Sequence, residues 1–174
     1  MPQAGPKSKG VICNRSPPVL LLEIKEGFVM KTAILYYSEH HGNTKKLLDA
    51  IALEHEVTLV NITKETDPDL SGYDRVGLAS GIYYGTLAKQ LITWAKERLP
   101  EGKDIFLIVT QGAASGDFLK EIRGIAEGKH CKLLGSYTCR GFDTFGPFKL
   151  VGGIAKGHPT EEEIRKAVSF YAGL

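Results

Sequence analysis

Seven consecutive residues, Ser38-Glu39-His40-His41-Gly42-Asn43-Thr44, stand between an apolar run and the start of a helical pattern, and their chemistry is that of an anion site. The N–H groups of a helix's first turn have no partner within the helix, and the helix dipole favours negative charge at that end. Ser38, Asn43 and Thr44 add side-chain donors, and Gly42 allows the backbone to turn close to a phosphate. One of His40 and His41 is expected to meet the anion, through its backbone N–H more than its ring, while the other faces solvent. A phosphate monoester suits this loop better than a nucleoside triphosphate, because the sequence has no G-x-x-x-x-G-K-[ST] and hence no P-loop lysine. It also lacks a G-x-G-x-x-G after a strand, which argues against dinucleotide binding of the Rossmann type. No further pair of ligands is spaced to join the histidines, so a metal centre is not expected.

Two other loops carry chemistry. Ser80-Gly81-Ile82-Tyr83-Tyr84-Gly85-Thr86 puts two aromatics between glycines, which suits stacking on a flat ring, and Tyr84 is the preferred partner. Thr110-Gln111-Gly112-Ala113-Ala114-Ser115-Gly116-Asp117 is small, polar and without an aromatic. Gln111 either bonds a polar ligand edge or serves the turn. The connection from Cys139 to Pro159 is long for a compact domain, and long ordered loops at the carboxyl end of a sheet are often functional. Arg140, Asp143 and Phe145 are candidates to border the site, while Phe142, Phe145 and Phe148 can equally serve to pin the loop to the core. Cys139 reads as a small buried hydrophobe and not a nucleophile.

The elements that must position these loops alternate. Apolar runs Thr32 to Tyr37, Val57 to Ile62, Arg75 to Ser80, Ile105 to Thr110 and Lys132 to Thr138 read as parallel strands buried on both faces. Between them, Leu47, Leu48 and Ile51 line one helix and Leu87, Leu91, Trp94 and Ala95 another. A third helix is expected near a Ser115 cap, burying Phe118, Leu119, Ile122 and Ile125. The last begins at Thr160, where Thr160 and Glu163 make a capping box ahead of Ile164, Ala167, Val168 and Tyr171. Lys64 to Asp74 has room for only one or two turns. The expected fold is three-layer α/β with a five-stranded parallel sheet in the order 2-1-3-4-5, whose crevice lies at the carboxyl ends of strands one, three and four.

In this setting Tyr37-Ser38-Glu39-His40-His41-Gly42-Asn43-Thr44 resembles the phosphate loop of the flavodoxins, S/T-x-T-G-x-T, with His41 in place of the central Thr and one residue more. A seven-residue version is also similar to that of the menaquinone-dependent protoporphyrinogen dehydrogenases. The resemblance spans Met30 to Leu174, including Gly157-His158-Pro159-Thr160. It implies a flavodoxin-like fold holding FMN, with Ser38 to Thr44 on the phosphate. It also implies Ser80, Gly81, Ile82, Tyr83, Tyr84 and Gly85 at the ring and its N5 edge, and Thr110, Gln111 and Gly112 at the pyrimidine edge. The implied function is electron transfer through a non-covalent flavin, to a redox partner protein or a small-molecule acceptor or donor. The alternatives are an FMN-dependent oxidoreductase acting on a quinone or protoporphyrinogen and a non-redox module for a phosphorylated ligand. Since the flavin carries the chemistry, no acid–base catalytic residue is expected. A phosphoacceptor receiver domain would need clustered acids after the first strand and an Asp ending the third, where this chain has Glu39 and Ser80.

Composition agrees. The chain has 174 residues, 43% hydrophobic, enough for one core. The first 29 residues hold Lys7, Lys9, Arg15 and Lys25 against Glu23 and Glu26, which leaves Met30 to Leu174 with eighteen basic and eighteen acidic groups. A neutral body gives no electrostatic case for nucleic acid, and strongly acidic electron carriers differ from it. Three cysteines without a CxxC pair fit a reducing, cytoplasmic setting, and no apolar run is long enough to span a membrane. Residues 1–29 are expected to be a tail or a mis-started leader, because Lys25-Glu26-Gly27 can be encoded by a purine-rich ribosome-binding stretch ahead of Met30.

Overall fold

A computed structural model describes residues 1, 30–39, 41–112, 116–144 and 146–174. Its elements are β1 (Thr32–Tyr37), α1 (Asn43–Glu54), β2 (Val57–Asn61), β3 (Arg75–Tyr83), β4 (Thr86–Leu87), α2 (Lys89–Arg98), β5 (Asp104–Gln111), α3 (Lys120–Gly128), β6 (Lys132–Arg140), a 3₁₀ helix η1 (Gly146–Val151) and α4 (Glu161–Ala172). The sheet runs β2-β1-β3-β5-β6, all neighbours parallel, with β4 paired antiparallel to the end of β3. Setting β4 aside, this is the expected five-stranded order.

Alternation along the strands divides the core in two. Ala33, Leu35 and Tyr37 of β1 join Val76, Leu78, Leu91, Trp94 and Ile122 on the α2/α3 side. Ile34 and Tyr36 join Leu47, Ile51, Phe106, Ala167 and Tyr171 on the α1/α4 side. Gly77 is where the second face is tightest, since a Cβ there would lie 2.5 Å from Cζ of Phe106. That ring is held by edge contacts to Phe170 and Tyr171.

Three expectations are corrected. Only β1, β3 and β5 are buried through their sheet-covered lengths; β2 and β6 are the outer strands and are half-exposed. The third-strand run passes Ser80 and continues to Tyr83, because its end pairs with Thr86–Leu87; Leu87 is therefore in β4 and not in α2. Residues 64–74 form no helix. An Asn61 turn opens the segment, with Lys64 and Glu65 N–H groups on the Asn61 carbonyl at 2.9 and 3.0 Å, and buried Leu70 pins it to the α2/α3 core. The Ser115 cap falls outside the described residues, and α3 starts at Lys120. The Thr160–Glu163 capping box is present as expected.

Candidate functional site

The loop after β1 enters α1 through two residues in the left-handed region, His41 (φ 56°) and Gly42 (φ 64°), with Gly42 as the N-cap. This turn aims the first-turn N–H groups outward. Lys45 N–H donates to Ser38 Oγ at 3.3 Å and Lys46 N–H to the Gly42 carbonyl at 3.0 Å; among the described residues no acceptor faces the N–H of Asn43 or Thr44. Thr44 is buried, and its Oγ1 lies 2.9 Å from Oγ1 of Thr110 at the end of β5, also buried. One hydroxyl must donate to the other, so the pair keeps one O–H to donate into the space between β1 and β5. Asn43 Nδ2 donates to the Phe142 carbonyl at 2.7 Å, while its Oδ1 is buried without a partner among the described residues.

The ring of His41 turns away from this end. Its Nε2 is 2.9 Å from Thr144 Oγ1, and the ring lies on Phe142 at 4.4 Å between centroids. His41 thus clamps the loop after β1 to the connection between β6 and α4. Glu39 is exposed beside Tyr37, whose hydroxyl is pushed up to about 12 by burial, then by the hydrogen bond and charge of Glu39. His40 lies outside the described residues.

The second wall is the β3–β4 hairpin. It turns at Tyr84 (φ 53°) and Gly85 (φ 82°), the positive angles a two-residue type I′ turn requires. Ser80 is fully buried and its hydroxyl is used locally, donating to the Gly81 carbonyl at 2.7 Å and accepting from Ala88 N–H at 3.2 Å. It braces the hairpin's base and does not face the cleft. Tyr83 packs edge-on against Tyr37 at 5.7 Å, its ring folded over Gly81. Tyr84 stands at the turn, 87% exposed, on the rim of the cleft.

The third wall comes from β5 and from the long connection after β6. Gln111 places a buried amide oxygen, without a partner among the described residues, at the end of β5. Gly112 and Gly141 are close-approach positions: a Cβ on Gly112 would meet Asp143 Oδ2 at 2.4 Å, and one on Gly141 would meet the Asn43 amide at 2.8 Å. The connection is well tethered. Gly141 N–H reaches the Gln111 carbonyl at 2.9 Å, Asp143 and Ile154 exchange backbone bonds of 3.0 and 2.8 Å, and Gly153 N–H reaches the Phe148 carbonyl at 2.7 Å. Its far end is fixed by Glu163, whose carboxylate accepts from Thr160 N–H and His158 Nδ1 at 2.7 Å, Thr160 Oγ1 at 3.1 Å and Arg140 N–H at 3.3 Å. Burial opposes the charge on Glu163, but these donors outweigh it and hold the carboxyl below the usual range.

The cleft so formed has a volume of about 220 Å³. That is below the roughly 300–1,000 Å³ of pockets that swallow most of a drug-sized ligand, so a ligand of that size keeps an edge in solvent. The cleft gathers Ser38, Asn43 and Thr44 from the first loop, Gly81 to Gly85 from the hairpin, and Thr110, Gln111 and Gly112 from β5. Glu39, His41, Gly42 and Ser80 are not among the residues that line it. The loop after β5 carries no aromatic, as its sequence says; Phe142 and Phe148 of the connection line the cleft, beside Asp143. Their density in an overlong loop at the sheet's carboxyl end was the available signal. Arg140 does not line the cleft, and Phe145 lies outside the described residues. Cys139 is buried, its thiol pushed up to about 12 by desolvation and then by the Glu163 charge, so it is no nucleophile. No group of three metal-ligating side chains occurs among the described residues, nor any helix long and apolar enough to cross a membrane.

Chemically, the cleft offers hydroxyls and a helix N-terminus to an anion, and aromatic walls and an amide to a flat polar heterocycle. Residues 34–117 match the model of a flavodoxin domain family. The uncharacterized protein MJ0298 of Methanocaldococcus jannaschii is 38% identical over 143 residues, covering 81% of this chain and 95% of that protein. Among solved structures, oxidised flavodoxin 2 of Bacillus cereus aligns with a TM-score of 0.58 at 20% identity, over 82% of this chain and 95% of that one. An NADPH-quinone reductase of P. pentosaceus aligns with a TM-score of 0.58 at 14% identity, over 81% and 97%. The last two speak for the fold. With the family model and the archaeal relative added, this chain belongs to the flavodoxin-like family.

Proposed function

We propose that the cleft binds FMN non-covalently and that the protein transfers electrons through it. The observation that carries this reading is the pair of buried acceptors without a partner among the described residues, Asn43 Oδ1 and Gln111 Oε1, lining a cleft that also holds a helix N-terminus. A buried carbonyl oxygen without a donor costs about 1–3 kcal/mol, and FMN bears donors that suit both: hydroxyls on its ribityl chain and an imide N–H on its pyrimidine edge. The residues therefore fit the group.

Ser38, Thr44 and the backbone N–H of Asn43 would hold the phosphate, with the Thr44–Thr110 pair giving its spare O–H. Tyr83, Tyr84, Phe142 and Phe148 would cover the ring, and Gln111 would receive the imide N–H. Bound FMN supplies reversible electron uptake and release, whereas the protein supplies orientation, stacking and exclusion of water. Asp143 would place a carboxylate near the ring. The open mouth leaves an edge for exchange with a partner.

Titration of flavin-free protein with FMN tests the reading. Flavin fluorescence should be quenched to a 1:1 endpoint, and riboflavin should bind more weakly because it has no phosphate. Absence of quenching at micromolar FMN ends the proposal.

A further inference from the structure

His41 belongs to the phosphate loop by sequence, but its side chain serves another part of the cleft. Its ring lies 4.4 Å from the Phe142 ring between centroids, and its Nε2 stands 2.9 Å from Thr144 Oγ1. Phe142 lines the cleft and His41 does not. The imidazole thus touches a wall residue without entering the cavity. Thr144 can donate to or accept from the imidazole nitrogen, so the contact holds in either tautomer.

Phe142 is held from this one loop at two points. Two residues after His41, the buried Asn43 side chain donates from Nδ2 to the Phe142 carbonyl at 2.7 Å. Backbone and ring of Phe142 are therefore tied to the same turn, on either side of Gly42 in the sequence. The rest of the setting leaves the ring little freedom. Phe142 N–H donates to the His158 carbonyl at 3.2 Å, and a Cβ on Gly153 would lie 2.5 Å from Phe142 Cε2, so the returning half of the connection presses close to the ring. His41 makes its contacts from a left-handed backbone, φ 56°, a conformation that His and Asn adopt more readily than most residues with a Cβ.

We propose that His41 is a positioning residue for the aromatic half of the site: from within the phosphate loop it sets the Phe142 ring against the flavin's ring system, and its side chain takes no part in holding the phosphate. Resting on the FMN reading of the cleft, this divides one loop between two tasks. Thr44 would favour a phosphorylated flavin over an unphosphorylated one, whereas His41 would act on both alike.

The test is a set of substitutions in the full chain, titrated with FMN and with riboflavin. His41→Asn accepts the same backbone but is too short to reach Thr144 as the imidazole does. Because His41 is exposed, the urea midpoint should hardly move. Both flavins should bind about three- to tenfold more weakly, and by the same factor, as Phe142 loses its ring neighbour. The bound flavin should also keep more of its fluorescence and show a shifted visible band, which a smaller folded fraction alone would not produce. Phe142→Leu should weaken both flavins as well, and in that background His41→Asn should cost less than about twofold, since its effect runs through the aromatic ring. Thr144→Val keeps the imidazole on Phe142 and should give a smaller loss of the same kind.

The proposal is overturned if His41→Asn weakens FMN and spares riboflavin, which would make His41 a phosphate ligand. It is equally overturned if His41→Asn changes neither the affinities nor the spectrum, or if its cost is undiminished in Phe142→Leu. Wild-type protein that binds neither flavin would sink the FMN reading and this proposal together, whereas any of the preceding results beside normal flavin binding by the wild type would sink the role of His41 alone.

Discussion

Replacing Thr44 by Val keeps the shape of a buried side chain and removes one hydroxyl from a pair. Thr44 and Thr110 are 1% and 3% exposed, so neither oxygen has water in reserve, and their 2.9 Å contact joins α1 to β5 across the floor of the cleft. Thr44→Val leaves the Thr110 hydroxyl buried without that partner, at a cost of about 1–3 kcal/mol. Thr110→Val does the same in reverse. The double variant removes both polar groups together and should lose less than the sum of the two, by about 1 kcal/mol of coupling. Ligand binding gives a second, independent magnitude. A hydrogen bond to a charged group is worth about 1.5–3 kcal/mol, which at about 1.4 kcal/mol per factor of ten predicts FMN binding weakened roughly 10- to 100-fold by Thr44→Val. Riboflavin, lacking the phosphate, should lose much less. Urea unfolding of the four proteins gives the coupling, and fluorescence titration with both flavins gives the binding ratio. Equal losses for FMN and riboflavin would show that Thr44 does not face a phosphate, and strict additivity in stability would show that the two hydroxyls do not interact.

Other consequences are as direct. Gly112→Ala puts a methyl 2.4 Å from Asp143 Oδ2 and 2.6 Å from its Cβ, so the connection after β6 must move off the cleft; FMN affinity should fall with only a modest change in thermal midpoint, and unchanged affinity would refute the close approach. Gly77→Ala sets a methyl against Phe106 on the opposite, α1/α4 face of the core; it should cost about 1–3 kcal/mol in urea and leave the FMN affinity of the folded fraction intact. Glu163 has its carboxyl pKa depressed in the folded state, so its contribution is fully present above the unfolded value of about 4.3 and is lost as pH falls through the lower folded value. Glu163→Gln should therefore flatten the decline of the urea midpoint below about pH 4, and identical pH slopes for both proteins would remove Glu163 from the account.

Periodicity was enough for most of the framework. The buried runs at Thr32, Arg75 and Ile105, the stripes Leu47-Leu48-Ile51 and Leu91-Trp94-Ala95, and the Thr160–Glu163 box are local patterns, and each formed the element its pattern called for. The misreadings came where local pattern and long-range pairing part company. Ile82 and Tyr83 look like loop between glycines, yet they extend β3 because Thr86 and Leu87 fold back onto them. Val57 to Asn61 looks as apolar as a central strand, yet it lies at an edge, a position set only when the sheet is assembled.

The phosphate loop shows the same division at the level of function. Its place between a strand and a helix, its glycine and its donors were determined by the sequence alone, because a turn's chemistry depends on neighbours in the chain. What each side chain faces was decided only in three dimensions. Thr44 found Thr110 sixty-six residues away, and His41 found Thr144 one hundred and three residues away. Ser80 was drawn into the base of a hairpin, and Phe142 and Phe148 supplied an aromatic wall that no nearby residue could provide. Direction within a loop is fixed by packing against distant segments, and no spacing along the chain encodes it.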